Sequence, residues 1–147
     1  MLGIKKDIIY KKFNNDTIEL TIDSRTINMI ILATEVFNTY LKQELVTGNN
    51  ISLRNDIKRI ENVLKELIKL KNNSGIKRNL NMKITIAELL IFKFGLDSVT
   101  KLVVPLELED KITISYYDFL IHLDERYNLL DPNEIKVYYK FLSEYDA

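Results

Sequence analysis

Apolar and polar residues alternate without a break along Thr17-Ile18-Glu19-Leu20-Thr21-Ile22-Asp23. Period two is the signature of a strand with one buried face, here carrying Ile18, Leu20 and Ile22. Residues 7–13 just upstream are rich in β-formers, namely Ile8, Ile9, Tyr10 and Phe13, and Asn14-Asn15-Asp16 supplies a turn. The pattern predicts an N-terminal β-hairpin within residues 1–23.

Beyond Asp23 the spacing lengthens to three and four. Ile27, Ile30, Ile31, Val36, Phe37, Tyr40, Leu41 and Leu45 form one broad helical face, with Asp23 or Ser24 as the cap and Gly48 as a left-handed stop. Leu53, Ile57, Ile60, Leu64 and Leu67 then step by four, three, four and three after Ser52, a natural N-cap. Two heptads are too few for a coiled coil, so this helix should pack on its own domain, with a homodimer seam through the same five residues as the alternative. Residues 76–84 read as a basic connector with a short strand at Leu80, Met82 and Ile84.

Thr85-Ile86-Ala87-Glu88 has the form of a capping box, and the helix it opens should stop at Gly95. A second short helix from Asp97 or Ser98 would give 85–104 a helix-turn-helix outline. Its exposed Asp97, Ser98, Thr100 and Lys101 carry too little positive charge for a recognition helix. Pro105 should break the chain, with Leu106, Leu108 and Ile112 in edge strand or loop. Ser115-Tyr116-Tyr117-Asp118 opens a helix to about Leu130. Asp131-Pro132-Asn133-Glu134 starts the last one, whose apolar face is Ile135, Tyr138, Tyr139, Leu142 and Tyr145. The tetrapeptide Lys-Ile-Thr-Ile occurs at 83–86 and 111–114, which reads as coincidence in an Ile/Lys-rich chain rather than as a duplicated strand–helix unit.

The fold class that follows is α+β and mainly helical. It consists of the hairpin, four or five helices and one or two short additional strands. The length of 147 residues suits a single globular domain, 1–147. Within it, 1–23 is the hairpin, 24–73 a helical pair with a basic second helix, and 84–147 an acidic, Tyr-rich helical part.

Composition narrows the chemistry. There is no cysteine, so thiolate chemistry and disulfides are excluded, and one histidine leaves a single imidazole. The four glycines are scattered, so no phosphate-binding glycine loop can be built. Asp118, His122 and Glu125 share a helical face, but no further ligands of recognisable spacing accompany them, and a solvated face is the simpler reading. Asp131-Pro132-Asn133 begins like a calcium loop, but Ile135 and Lys136 stand where a ligand and a glycine are needed. Neither a metal nor a cofactor is expected. No apolar run reaches the roughly 18 residues that span a bilayer, so no membrane partner is expected and a cytoplasmic location is the default. Heavy use of Lys, Ile and Asn (16, 20 and 14 residues) suggests AT-rich coding, as in a low-GC bacterium, a phage or a mobile element.

Zero net charge conceals a split. Residues 51–83 hold nine basic and three acidic side chains, whereas residues 84–147 hold six basic and twelve acidic. The acidic part also carries six of the eight tyrosines. Tyrosine is enriched at binding surfaces and acids steer basic partners. The first functional expectation is therefore a non-enzymatic protein-binding module, such as an inhibitor or accessory factor. It would engage a basic partner surface through Tyr116, Tyr117, Asp118, Glu125, Tyr138, Tyr139, Glu144 and Tyr145. Neighbours on a helix differ by about 100°, so both members of Tyr116-Tyr117 or Tyr138-Tyr139 cannot sit centrally in one buried stripe. The alternative is a nucleic-acid-binding regulator using Arg54, Lys58, Arg59, Lys65, Lys69, Lys77, Arg78 and Lys83.

Overall fold

The alternating segment is a strand, β1 (Thr17–Asp23), and Leu20 and Ile22 on its inner face are buried. Its partner is not the segment before it. A computed structural model describes residues 2–48, 50–104 and 110–145, with the side chains of 2–4 and of Tyr145 outside that description. In it, β1 pairs antiparallel with β2 (Asn79–Thr85), from Thr17↔Thr85 to Asp23↔Asn79. β2 is the short strand expected at Leu80, Met82 and Ile84, and all three are buried.

Residues 7–13 are helical instead, inside α1 (Leu2–Asn15). The β-formers there are spaced for a helix: Ile9 and Phe13, four apart, are buried, whereas Asp7, Ile8, Lys11 and Lys12 are exposed. A strand would have buried alternate residues. Asn14 donates its side-chain amide to the Tyr10 carbonyl, so it closes a helix rather than turning a hairpin.

Asp23 turns the chain into α2 (Ile27–Thr47) without capping it. Its carboxylate accepts from the Arg25 backbone N–H at 2.9 Å and holds the Arg25 guanidinium at 2.8 Å, which keeps the Asp23 carboxyl well below the usual carboxylate range. The residue at the N-cap is Thr26, which makes no side-chain cap bond. Gly48 has φ −88° and ends α2 without entering the left-handed region, whereas Gly75 after α3 does enter it at φ 58°.

α3 (Leu53–Asn72) buries Ile57, Ile60, Val63 and Leu67 against α2, α4 and β2. The stripe offered for a dimer seam is thus used up inside the subunit, and Leu53 and Leu64 are partly buried on the same core. Ser52 does not cap α3; its hydroxyl bonds the Asn50 side chain.

α4 (Ile86–Val103) begins with the capping box: Thr85 Oγ1 accepts from Glu88 N at 3.1 Å, and Thr85 N donates to Glu88 Oε1 at 2.8 Å. It runs straight through Gly95, which removes the helix-turn-helix outline. Gly95 is buried against the ring of Phe37 on α2, and a Cβ there would lie 2.7 Å from Phe37 Cγ. Close packing, not chain termination, is what this glycine serves.

Pro105, Leu106 and Leu108 lie outside the described residues. Helix α5 (Lys111–Asn128) starts earlier than expected, because Asp110 caps it by accepting from Thr113 N at 2.7 Å. The repeated tetrapeptide is therefore strand leading into helix at 83–86 and wholly helix at 111–114. α6 (Pro132–Tyr145) starts where Asp131 and Pro132 place it, with Asn133 N donating to Asp131 Oδ1 at 2.9 Å.

Mainly helical α+β is therefore the class, with six helices and one two-stranded sheet among the described residues. The inner sheet face, α2, α3, α4 and α5 enclose the larger core. A second cluster joins Ile9 and Phe13 of α1, Ile86, Ala87 and Leu90 of α4, and Ile135 and Tyr138 of α6. No helix among the described residues is long and apolar enough to cross a membrane.

Candidate functional site: a groove between α3, α4 and α6

Helix α4 is apolar on nearly every side. Leu89, Phe92 and Leu96 serve the larger core, while Ala87 and Leu90 serve the second. Ile91 is only partly buried at the margin of the larger core, and Phe94 is left over at 60% exposed. A helix apolar all round needs cover on every side, and here one side lacks it. The run Leu89 to Phe94 carries that surplus in the sequence itself.

The uncovered side forms one wall of a groove of about 890 Å³. Ala87, Leu90, Ile91 and Phe94 line it from α4, and Tyr138, Tyr139, Leu142 and Ser143 line it from α6. Both sets recur at three- and four-residue spacing, as neighbours on one helix face do. The third wall is the turn into α3, with Asn50, Ile51 and Ser52, followed by Asp56 and Arg59 one turn on. Ile51 is 61% exposed and Tyr139 is 48% exposed.

The polar point of this apolar site is the Asp56–Arg59 pair at 3.3 Å. Arg59 also reaches Asn14 Oδ1 of α1 at 3.2 Å, which ties α3 to α1. Burial pushes the Tyr138 phenol up to about 12, partly opposed by the Arg59 charge, and burial also raises Tyr139. Both tyrosines are therefore neutral at the groove near pH 7.

The tyrosine and acid set expected at a partner surface is divided. Tyr116 is fully buried, with its hydroxyl 3.1 Å from Thr100 Oγ1, and Tyr138 is buried against Phe13. Tyr117 and Tyr139, the second members of the two pairs, are exposed, as are Asp118 and Glu125. Glu144 is bound by Lys6 at 2.8 Å, and Glu134 by Lys12 at 3.1 Å, so α1 neutralises part of the acidic helix. The side chain of Tyr145 lies outside the described residues. Of the expected set, Tyr138 and Tyr139 are the two that line the groove.

The basic set is also altered. Arg59 is part-buried in the groove wall rather than offered to solvent. Arg54, Lys58, Lys65 and Lys69 are exposed along α3. Lys77 and Arg78 are exposed in and beside the connector, with Arg78 Nε 3.5 Å from Asp23 Oδ2. Lys83 stands on the polar sheet face opposite Glu19. Among the described residues, no ion pair joins a cation of 51–83 to an acid of 84–147.

His122 has a structural partner. Its Nε2 accepts from the backbone N–H of Thr21 at 3.1 Å, on the side of β1 away from β2. The imidazole must be neutral, with its proton on Nδ1, to accept there. Burial and the nearby Arg126 charge lower its pKa accordingly. Asp118 and Glu125 are exposed on the same helix, and no group of three or more His, Asp or Glu among the described residues is placed to hold a metal.

The chain matches no protein-family model, no characterised protein and no solved structure.

Proposed function

We propose that this protein is a non-enzymatic protein-binding module whose groove between α3, α4 and α6 receives an amphipathic helix of a partner. One observation carries the reading: α4 and α6 present convergent apolar positions, joined by Ile51 of the turn into α3, around an open trough of about 890 Å³, with Ile51, Phe94 and Tyr139 still exposed at its sides. An apolar groove walled by helices is completed by another helix, read through anchors at i, i+3, i+4 and i+7. The Asp56–Arg59 pair gives such a helix a charged anchoring point within a mostly apolar contact. The site thus moves from the acidic helix surfaces to the seam between α4 and α6, and Tyr138 and Tyr139 are common to both.

A displayed library of amphipathic helical peptides tests this. Selected peptides should share apolar anchors at helical spacing. Phe94→Glu and Leu142→Glu should each weaken them by about tenfold or more, as central apolar anchors do, while leaving the far-ultraviolet spectrum intact. No enrichment over a scrambled library, or binding indifferent to both substitutions, would overturn the reading.

The nucleic-acid alternative retains one specific observation. Arg54, Lys58, Lys65 and Lys69 lie along one side of α3 without an ion-pair partner among the described residues, although Glu61, paired with Lys42, interrupts their row. Phosphate contacts are strongest at low salt. A mobility shift on mixed DNA and RNA at low ionic strength should detect binding if this row serves such contacts, and no shift there removes the alternative.

A further inference from the structure

The two edges of the small sheet are treated differently. On β1, Thr21 N points away from β2 and is taken by His122 Nε2. At the sheet ends, Ser24 N donates to Arg78 O and Ile86 N donates to Asp16 O, which fixes the parity of the ladder. Even-numbered residues of β2 therefore face β1 with their backbone groups, and odd-numbered ones face outward. Thr85 N, the last outward donor, is used by Glu88 in the capping box. Asn79, Asn81 and Lys83 remain, and among the described residues their N–H and C=O groups have no partner.

This edge also lacks most of the devices that keep edge strands single. It has no proline, and its pairing with β1 runs through seven residues without a bulge. The Asn81 side chain is held on the polar face by Thr21 Oγ1 at 3.1 Å, so it does not cover the edge. Lys83 is the one charge on β2. Immediately before the strand, Ile76 is fully exposed, an apolar side chain with nothing packed on it in the single chain.

We infer that β2 pairs with β2 of a second copy of this chain, antiparallel and centred on Asn81, joining two two-stranded sheets into one of four strands. In this register Asn81 exchanges N–H and C=O with Asn81 of the second copy, and Asn79 exchanges with Lys83 of the second copy. Each Lys83 therefore faces an asparagine. Centring the axis on Lys83 instead would oppose two lysines and leave Asn79 beyond the pairing, whereas the Asn81 axis is the one that pairs all three free residues among themselves. Extending the same register carries Ile76 alongside the sheet end of the second copy, where α4 begins. The contact is isologous, as a closed dimer requires. It does not depend on the groove, and it replaces the seam on α3, whose residues are buried at home.

The chain has no cysteine, so a single spin label at Asn81→Cys reports one site. Light scattering after size exclusion should give a dimer mass that grows with concentration. The label should show short-range dipolar coupling, and amide exchange at Asn79, Asn81 and Lys83 should slow as the dimer forms. Asn81→Pro removes the outward N–H without touching the β1 ladder and should return the chain to a monomer. A monomer at all concentrations overturns the inference, as does a dimer that shows no coupling at residue 81. If Asn81→Pro fails to fold, the label alone decides.

Discussion

Gly95→Ala sets two quantifiable effects against each other. Gly95 lies inside α4, where replacing glycine by alanine favours the helix by roughly 1 kcal/mol. Against that, the new Cβ would lie 2.5 Å from Phe37 Cε2 and 2.7 Å from Cγ, and closer still to Cδ2. These atoms belong to one rigid ring that is itself 1% exposed, so the ring cannot swing into solvent. Overpacking of this kind costs typically about 1–3 kcal/mol, and three clashes with a single ring place this site at the upper end. The net expectation is a loss of about 2 kcal/mol, or roughly 4–8 °C in Tm for a chain of this size. Urea titration followed by circular dichroism measures it. Phe37→Leu should be destabilising alone yet relieve the alanine. The double variant should then be more stable than the sum of the singles predicts, by about 0.5–3 kcal/mol, the usual coupling between touching residues. A rise in Tm for Gly95→Ala, or strict additivity with Phe37→Leu, would refute the packing argument and leave helix propensity in command.

Thr85→Ala should cost about 1 kcal/mol by opening the capping box of α4, whereas Ser52→Ala should change stability by less than about 0.5 kcal/mol, because Ser52 caps nothing; paired urea titrations compare them. His122 is held neutral in the fold with a lowered pKa, so its contribution is complete above the unfolded value near 6.5. That contribution is lost as pH falls below this value, and His122→Ala should flatten the corresponding part of a Tm-against-pH curve. Tyr138, raised to about 12, keeps its proton when the unfolded chain would lose it near 10. Its contribution is therefore present below pH 10 and lost between about 10 and 12; ultraviolet phenolate titration of wild type against Tyr138→Phe locates it. Glu144→Gln breaks the Lys6 pair at an exposed site, where solvent screens it, and should leave the thermal melt nearly unchanged.

What the sequence disclosed depended on how local the cause was. The β1 alternation, the Thr85 capping box and the Asp131-Pro132 start are each complete within a few residues, and each forms as read. Residues 7–13 look strand-like in sequence yet are helical, because Ile, Tyr and Phe favour strands only where a pleated surface receives them. Here Ile9 and Phe13 meet Tyr138, 125 positions after Phe13, and a helix is what presents both to it. The two Lys-Ile-Thr-Ile copies make the same point within one chain. At 83–85 the partner strand β1 imposes extension, whereas at 111–114 the Asp110 cap imposes a helix. Gly95 resembles a helix stop in sequence because the ring it accommodates lies on a different helix.

The groove was less legible still, and the reason is physical. Its walls are drawn from 50–59, 87–94 and 138–143, and no one stretch looks like a site. Each wall uses the flank of an apolar stripe whose centre is committed to a core. The segment charge sums misled in a related way. They treat residues 84–147 as one acidic body, but Glu134 and Glu144 are neutralised from α1, at the opposite end of the chain, and Asp97 and Asp124 share Lys93 at 3.0 and 3.2 Å. Among the described residues, the acids of this part without an ion pair lie mainly along α5 and its flanks, not gathered beside Tyr139. Among the described residues no cation of α3 is ion-paired with an acid of the C-terminal part, so the split persists on the basic side while several of the acids are neutralised. A partner steered by charge would consequently find α3, whereas a partner held by apolar burial would find α4 and α6. The two routes use different helices, so Lys65→Glu with Lys69→Glu should leave a groove-selected helical peptide bound, and Phe94→Glu should not.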